Sequence, residues 1–545
     1  MSQTPQNGFI SNADYSLTVG CGIRSQLPED YDAIVVGGGH NGLVSAAYLA
    51  KAGVKTLVLE RRKIIGGAAV TEEPWPGYRV NSVAYAAGLL RPTIIEDLGL
   101  KQFGLDIHPW DPQFFLPFPD GKHIFIWADE KKTIKEIEKF SSKDARAYLE
   151  FEKFWQGFYE LVDLMLLSPP PKLTDLVNLM EGPEAEELIR RILLMSGKQL
   201  LDEWFESEYI KAAFIFPSIL ATFAGPMTPG TAYLIGHYAA GCIDGMKQVW
   251  GWARGGVGNI PDSIARAAKF YGAEILTNAE VRKILVKDGR ATGVVMADGK
   301  TISAKNVLSN ADPQRTFFQL VGREHIEPDF AKKIENLKVE GCTLKLNCAT
   351  NELPDFKAYP GKNVGPQHSG TIDICPSVEY LERAFDDAKY GSPSKKPFVE
   401  MTIQSAYDQS VAPPGKHVIS MLCQYYPYKL RDGDWDSIAD ETGDNIIETV
   451  TEYAPNLKEA ITERQVITPK DMEKEYSLPQ GNASHADNTP DQVFSFRPAP
   501  GWANYRTPIV NLYLCGAGTH PGGGILGAPG HNAAMTVLED LKKKL

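Results

Sequence analysis

Residues 37–42 read GGGHNG, directly after DAIVV and before LVSAAYLAKAG. Gly37, Gly39 and Gly42 have the spacing of a loop that grips a dinucleotide. Each glycine answers a physical demand. Gly37 permits a tight turn, Gly39 lets a pyrophosphate approach the backbone, and Gly42 lets helix and strand pack closely. His40 and Asn41 lie inside this loop; His40 either touches a phosphate or simply opens the helix. Glu60 stands 18 residues beyond Gly42, where an acid holds the hydroxyl pair of a ribose.

The elements that must position these groups can be read around them. DAIVVGG is short, β-branched and ends in glycine, which predicts a buried parallel strand. GLVSAAYLAKAG predicts a helix from Gly42, with Leu43, Ala46, Ala47 and Leu49 facing inward and Gly53 closing it. The free N–H groups and partial positive charge of its first turn suit phosphates. KTLVLE is then a second strand ending at Glu60. Strand, helix and terminal acid in register separate the motif from a chance glycine turn.

A second glycine pair, Gly66–Gly67, follows Glu60, Arg61 and a short connection, and leads into Ala68. Far downstream, NLYLCGAGTHPGGGILGAPGHNAAMTVL (511–538) reads as strand, glycine-rich turn and helix. Between them, residues 255–312 read as a helix, a short strand and hairpins turning at Asp288–Gly289 and Asp298–Gly299, returning through SNAD (309–312). These blocks resemble the FAD-binding segments of the amine oxidase and phytoene desaturase superfamily, and the chain as a whole resembles its phytoene desaturase-like flavoproteins.

The resemblance implies an α/β fold: a Rossmann-type FAD-binding domain with a discontinuous α+β substrate domain. It implies FAD as cofactor, held by Gly37, Gly39, His40, Asn41, Gly42, Glu60, Arg61, Gly67, Ala68, Val281, Gly516, Gly518, Gly524 and Ile525. Gly516 is followed by Ala517, where many relatives carry an aspartate for the ribitol; the carotenoid desaturase branch also lacks that acid. The implied FAD domain comprises 30–110, 251–340 and 501–545, the substrate domain 111–250 and 341–500, with residues 1–29 as a tail.

Composition bounds the function. The chain has 545 residues, 43% hydrophobic, 23% charged and 10% aromatic, with a formal charge of −12. That length suggests more than one domain, and an acidic surface argues against nucleic-acid binding. Seven cysteines, at 21, 242, 342, 348, 375, 423 and 515, form no CxxC pair, so no zinc site or disulfide framework is implied and a reducing compartment, cytoplasm or mitochondrial matrix, fits. Cys342 and Cys348 read as core residues on one face of a strand. No apolar run reaches the ~18 residues of a membrane span, and the N-terminus lacks the pattern of a secretory signal.

The substrate half is expected to be mainly helical over 111–250. Strands are expected at CTLKLNCAT, FVEMTIQSAY and HVISMLCQYYPY, and an amphipathic helix after Asp432. The stretch 212–238 is poor in charge and rich in aromatics; it would line a tunnel for an apolar molecule, lie against a membrane, or simply fill a core. No acid–base pair declares itself. His520 and His531, flanking the C-terminal glycine turn, are the weak catalytic candidates, and no metal site is expected. The expected activity is an FAD-dependent oxidation of an apolar, polyene, isoprenoid or lipid-like substrate by hydride transfer to the flavin. A flavin-binding scaffold with little turnover is the alternative. Peripheral membrane contact and homo-oligomers remain open as partners.

Overall fold

The computed structural model describes residues 30–179 and 182–543. The tail at 1–29, with Cys21, lies outside the described residues.

The first sheet has seven strands. Strand β1 (Asp30–Val36) lies between β2 (Thr56–Leu59) and Thr301–Ser309; Glu274–Leu276 flanks β2. Beyond Thr301–Ser309 come Arg290–Met296 and Val281–Lys287. Thr301–Ser309 is long enough to serve two neighbours on that side: Arg290–Met296 antiparallel near its start and Leu512–Leu514 parallel near its end. Val36 pairs with both Leu59 and Ser309, Leu59 with Leu276, and Ser309 with Leu514. The carboxyl ends of five parallel strands therefore finish level, and open parallel sheets place their ligands outside that end.

Helix α1 (His40–Lys51) follows β1. It starts before the expected Gly42 because Gly39 takes the extended N-cap conformation. All residues from Asn41 to Ala50 are buried, since the helix runs between the sheet and two further helices, Asn259–Phe270 and Ala528–Lys543. Its small residues make that approach feasible. A Cβ on Gly530 would stand 2.1 Å from the Asn41 carbonyl oxygen, and Ser45 donates its hydroxyl to the Gly530 carbonyl at 2.7 Å.

The second sheet also has seven strands, in the order Ile461–Ile467, Thr343–Thr350, His417–Gln424, Phe398–Thr402, Thr371–Ile374, Phe114–Pro117 and His123–Ile126. The span 111–250 is mainly helical, as expected, but it also supplies the last two strands of this sheet. They extend a sheet built otherwise from residues beyond 340, a long-range pairing that no local pattern announces. The helices of that region, including Ser142–Leu166, pack as a separate layer.

Alternation along these strands sorts residues to two faces. Leu344, Leu346, Cys348, Met401 and Met421 join Ile446, Ile447 and Val450 of helix Trp435–Thr451 in one apolar core. The opposite face is also buried, yet it carries Lys345, Asn347, Asp373, Glu400 and Ser420. Cys342 precedes the strand and packs in the helical core, whereas Cys348 packs in the sheet core. The two cysteines are buried, as expected, but do not share a strand face. Among the described residues, no helix is long and apolar enough to cross a membrane.

Candidate functional site

A cavity of about 480 Å³ opens at the level strand ends. Of the residues singled out in the sequence, Gly37, Gly39, His40, Asn41, Glu60, Arg61, Gly67, Ala68 and Val281 line it. Gly42, Gly516, Gly518, Gly524 and Ile525 do not. Gly42 and Gly516 sit behind the wall, where a Cβ on Gly42 would meet the Gly37 carbonyl oxygen at 2.3 Å and one on Gly516 the Asn310 carbonyl oxygen at 2.7 Å. Gly518 abuts Pro313, and Gly524 abuts Leu89.

The loop is built to present backbone donors. Gly37 has φ of +101°, in the left-handed region that glycine tolerates. Helix α1 has no side-chain cap and no acid in its first turn, so its leading N–H groups remain for an anion. Glu60 is buried beside this loop. One carboxylate oxygen accepts from the Gly38 N–H and the other from the Arg62 N–H, each at 2.8 Å. Lone pairs remain on both oxygens for hydroxyl donors. The second glycine pair completes the cradle: Gly66 donates its N–H to the Gly38 carbonyl at 2.9 Å, and a Cβ on Gly67 would lie 3.3 Å from the Gly39 Cα.

Several lining residues were not named individually from the sequence. Asn310, within SNAD, donates from its backbone to Val36 at 2.9 Å, and its side-chain amide lies where a Cβ on Gly39 would fall, 2.8 Å away. Arg315 and Arg282 add positive charge around the adjoining Arg61. Burial, followed by repulsion from Arg315, pulls the Arg61 guanidinium below its usual range, the field an anion would relieve. Tyr476, at the end of helix Pro469–Tyr476, and Leu478, Ala483 and His485 of the loop after it come more than 400 residues after β2. Burial lowers His40 to about 4 and His485 to about 3, so both rings are neutral donors or acceptors at the wall.

The two catalytic candidates lie elsewhere. His520 is buried with Nε2 3.2 Å from the Met165 carbonyl oxygen, and His531 packs edge-on against Tyr48 with Nδ1 2.8 Å from Asn532 Oδ1. Neither lines the cavity. Instead, Arg497 organises the glycine turn. Fully buried, it donates to the carbonyls of Ala517, Asp487, Gln492, Ser484 and Ala486, tying the loop that carries His485 to the turn whose Ala517 lines the cavity.

His237 and His520 are buried and held to about 4 by desolvation. Both are neutral when folded and charge on unfolding below the free value of ~6.5. The unfolded state then binds more protons, so stability, full above that pH, falls by ~1.4 kcal/mol per unit for each ring and levels off near the folded value. Denaturant midpoints at pH 7 and pH 5 check this: the midpoint should drop at pH 5, and drop less in His520→Gln. Equal midpoints would rule out neutral burial.

A family described as an NAD(P)-binding Rossmann-like domain matches residues 35–92. Over 557 residues, the chain is 38% identical to pyridine nucleotide-disulfide oxidoreductase domain-containing protein 2 of Rattus norvegicus, covering 96% of this chain and 95% of that protein. It is 27% identical to a lycopene-forming phytoene desaturase of Pseudescherichia vulneris, covering 93% and 99%.

The chain belongs to the phytoene desaturase-like family of FAD-dependent oxidoreductases.

An oxidoreductase of known structure from Methanosarcina mazei shares the fold, with a TM-score of 0.59 at 18% identity over 93% of this chain and 99% of that one. The protein is thus an oxidoreductase with FAD as its cofactor, and its cradle fits a dinucleotide: an uncapped helix start, a buried acid with free lone pairs, and flanking arginines. Burial pushes the Cys348 and Cys515 thiols up to about 12, so these two stay protonated at pH 7.

Proposed function

We propose that the protein oxidises an apolar substrate by hydride transfer to its FAD. When bound, FAD supplies a two-electron acceptor; the chain's part is binding, orientation and exclusion of water. Glu60 would hold the ribose hydroxyls, the first turn of α1 the pyrophosphate, and the backbone at Val281 the adenine. Gly67, Ala68 and the 516–525 turn would flank the flavin. We also retain the division into a cofactor domain (30–110, 251–340, 501–545) and a substrate domain (111–250, 341–500).

The observation that carries the substrate class is a pair of aromatic-walled chambers on the substrate side. The outer has a volume of about 270 Å³ and carries Glu130, Glu152 and Lys247 beside its aromatic rings; the inner has about 30 Å³ and is mainly aromatic. Both are lined by Phe114, Pro217, Tyr238 and Trp250. The inner one ends at Tyr85. Its neighbour Ala84 donates to the Ala68 carbonyl at 3.0 Å, and Ala68 lines the nucleotide cavity. The aromatic rings shared by the two chambers gain by taking apolar surface out of water. The purified protein should be yellow and release FAD on denaturation, and anaerobic addition of an apolar olefin such as phytoene should bleach the flavin bands. An FAD-loaded protein that amines or hydroxy acids bleach, and olefins do not, would defeat the apolar-substrate reading.

A further inference from the structure

The aromatic chambers contain a polar end that a hydrocarbon would not use. The inner walls are Trp110, Phe114, Phe216, Leu220, Tyr238 and Trp250, but Glu400 and Thr371 also face in from the second sheet. Glu400 is 4% exposed. Its one hydrogen bond among the described contacts is accepted from the Tyr85 hydroxyl; burial lifts this carboxyl well above its usual range and favours the neutral form, leaving an O–H to donate as well as lone pairs toward the aromatic wall. Thr371 is 2% exposed and its hydroxyl meets no hydrogen-bond geometry, although it lies close enough to Asp373 to ease that carboxyl's ionisation. Buried polar groups normally find partners, and leaving them unmatched is costly.

We propose that the two chambers form one channel that takes an apolar molecule bearing a single hydroxyl group, seated with that hydroxyl on Glu400 and Thr371. The inference rests on the apolar-substrate reading above and narrows it. A hydroxyl donates to one group and accepts from the other, so one atom satisfies both. The inner chamber has room for such a head; a water needs only ~10–15 Å³. The outer chamber takes the apolar body.

A cationic head fits less well. Lys345 shares this face of the sheet: it pairs across the strands with Leu422, which pairs in turn with Glu400. Its buried amine, which burial lowers to about 7, lies 4.0 Å from the centroid of the Tyr85 ring and has no hydrogen-bond partner among the described residues, so a second cation would enter against a group that is itself partly charged at pH 7. Asp373, directly opposite Glu400 on the next strand, does not offset it, because burial lifts that carboxyl to about 8 and keeps it neutral at pH 7. A plain hydrocarbon leaves Glu400 and Thr371 as they are.

Calorimetry on the FAD-loaded, full-length protein with 1-octanol, octane and octylamine tests the assignment. Octanol should bind ~10-fold tighter than octane, as one hydrogen bond to a buried acid provides. Octylamine should bind no better than octanol. Glu400→Leu should remove the octanol preference and leave octane affinity unchanged, while Glu400→Gln, which still accepts a hydrogen bond, should retain part of it. Leu220→Trp, which fills the inner chamber, should weaken octanol at least ~10-fold. The proposal is overturned if octanol does not bind, if it binds no tighter than octane, if octylamine is preferred, or if the preference survives Glu400→Leu. A failure of the oxidation reading would show differently, as octanol binding that persists while no olefin bleaches the flavin.

Discussion

Glu60→Ala is expected to leave the protein without FAD at micromolar concentrations of both. The carboxylate is the one buried acid among the described residues that line the cavity, and under the proposed binding mode it acts twice. It offers charge-assisted acceptors to two hydroxyls, each such bond contributing ~1.5–3 kcal/mol. It also ties down the Gly38 and Arg62 N–H groups at 2.8 Å, so its loss loosens the loop that should meet the pyrophosphate. Two lost bonds correspond to a ~10²–10⁴-fold weaker affinity. Glu60→Gln keeps acceptor oxygens but only one of the two, and should fall between. Titration of the apoprotein with FAD, followed by flavin fluorescence, reads the affinity directly. Affinity within threefold of the parent would remove Glu60 from the cofactor site.

Arg497→Met should cost ~3–5 kcal/mol of folding stability, the scale seen when one partner of a buried charged network is removed. Burial lowers this guanidinium to about 10, so it remains charged at pH 7 with carbonyl oxygens as its close partners. Methionine matches much of its length and donates nothing, leaving the Ala517, Asp487, Gln492, Ser484 and Ala486 carbonyls without that donor. Against a total stability of ~5–15 kcal/mol, that loss is severe. Because the arginine holds the His485 loop to the Ala517 turn, FAD should dissociate at lower urea than the concentration that unfolds the rest. Parallel urea titrations read by flavin fluorescence and by far-ultraviolet dichroism would show two separated transitions. Coincident transitions at the parent's midpoint would contradict the role.

Much of the cofactor side could be read from the chain. DAIVVGG, the alanine-rich helix and KTLVLE appear as strand, helix and strand because each is short-range: β-branched runs, helical spacing and glycine punctuation act within a few residues. The hairpin turns at Asp288–Gly289 fall where expected, both residues having positive φ. Glu60 follows from spacing alone, since the length of one βαβ unit sets where the second strand ends.

The substrate side could not be read in this way. Phe114–Pro117 and His123–Ile126 look like connections near a helical region, and only pairing with Thr371–Ile374 makes them part of the second sheet. Lys345, Asp373 and Glu400 lie in three separate strands and look like ordinary solvent-facing positions of alternating sequences. Their burial is decided by what covers that face: the helical layer and the Tyr85 segment, which are brought there by contacts between residues hundreds of positions apart. Likewise His520 sits in the most suggestive motif of the C-terminus, yet the fold spends it on a backbone carbonyl, and an arginine in no motif braces the site. Sequence determined the nucleotide-binding unit because its signals are local. The channel, its polar end and the brace are products of long-range packing, which residue spacing along the chain does not encode.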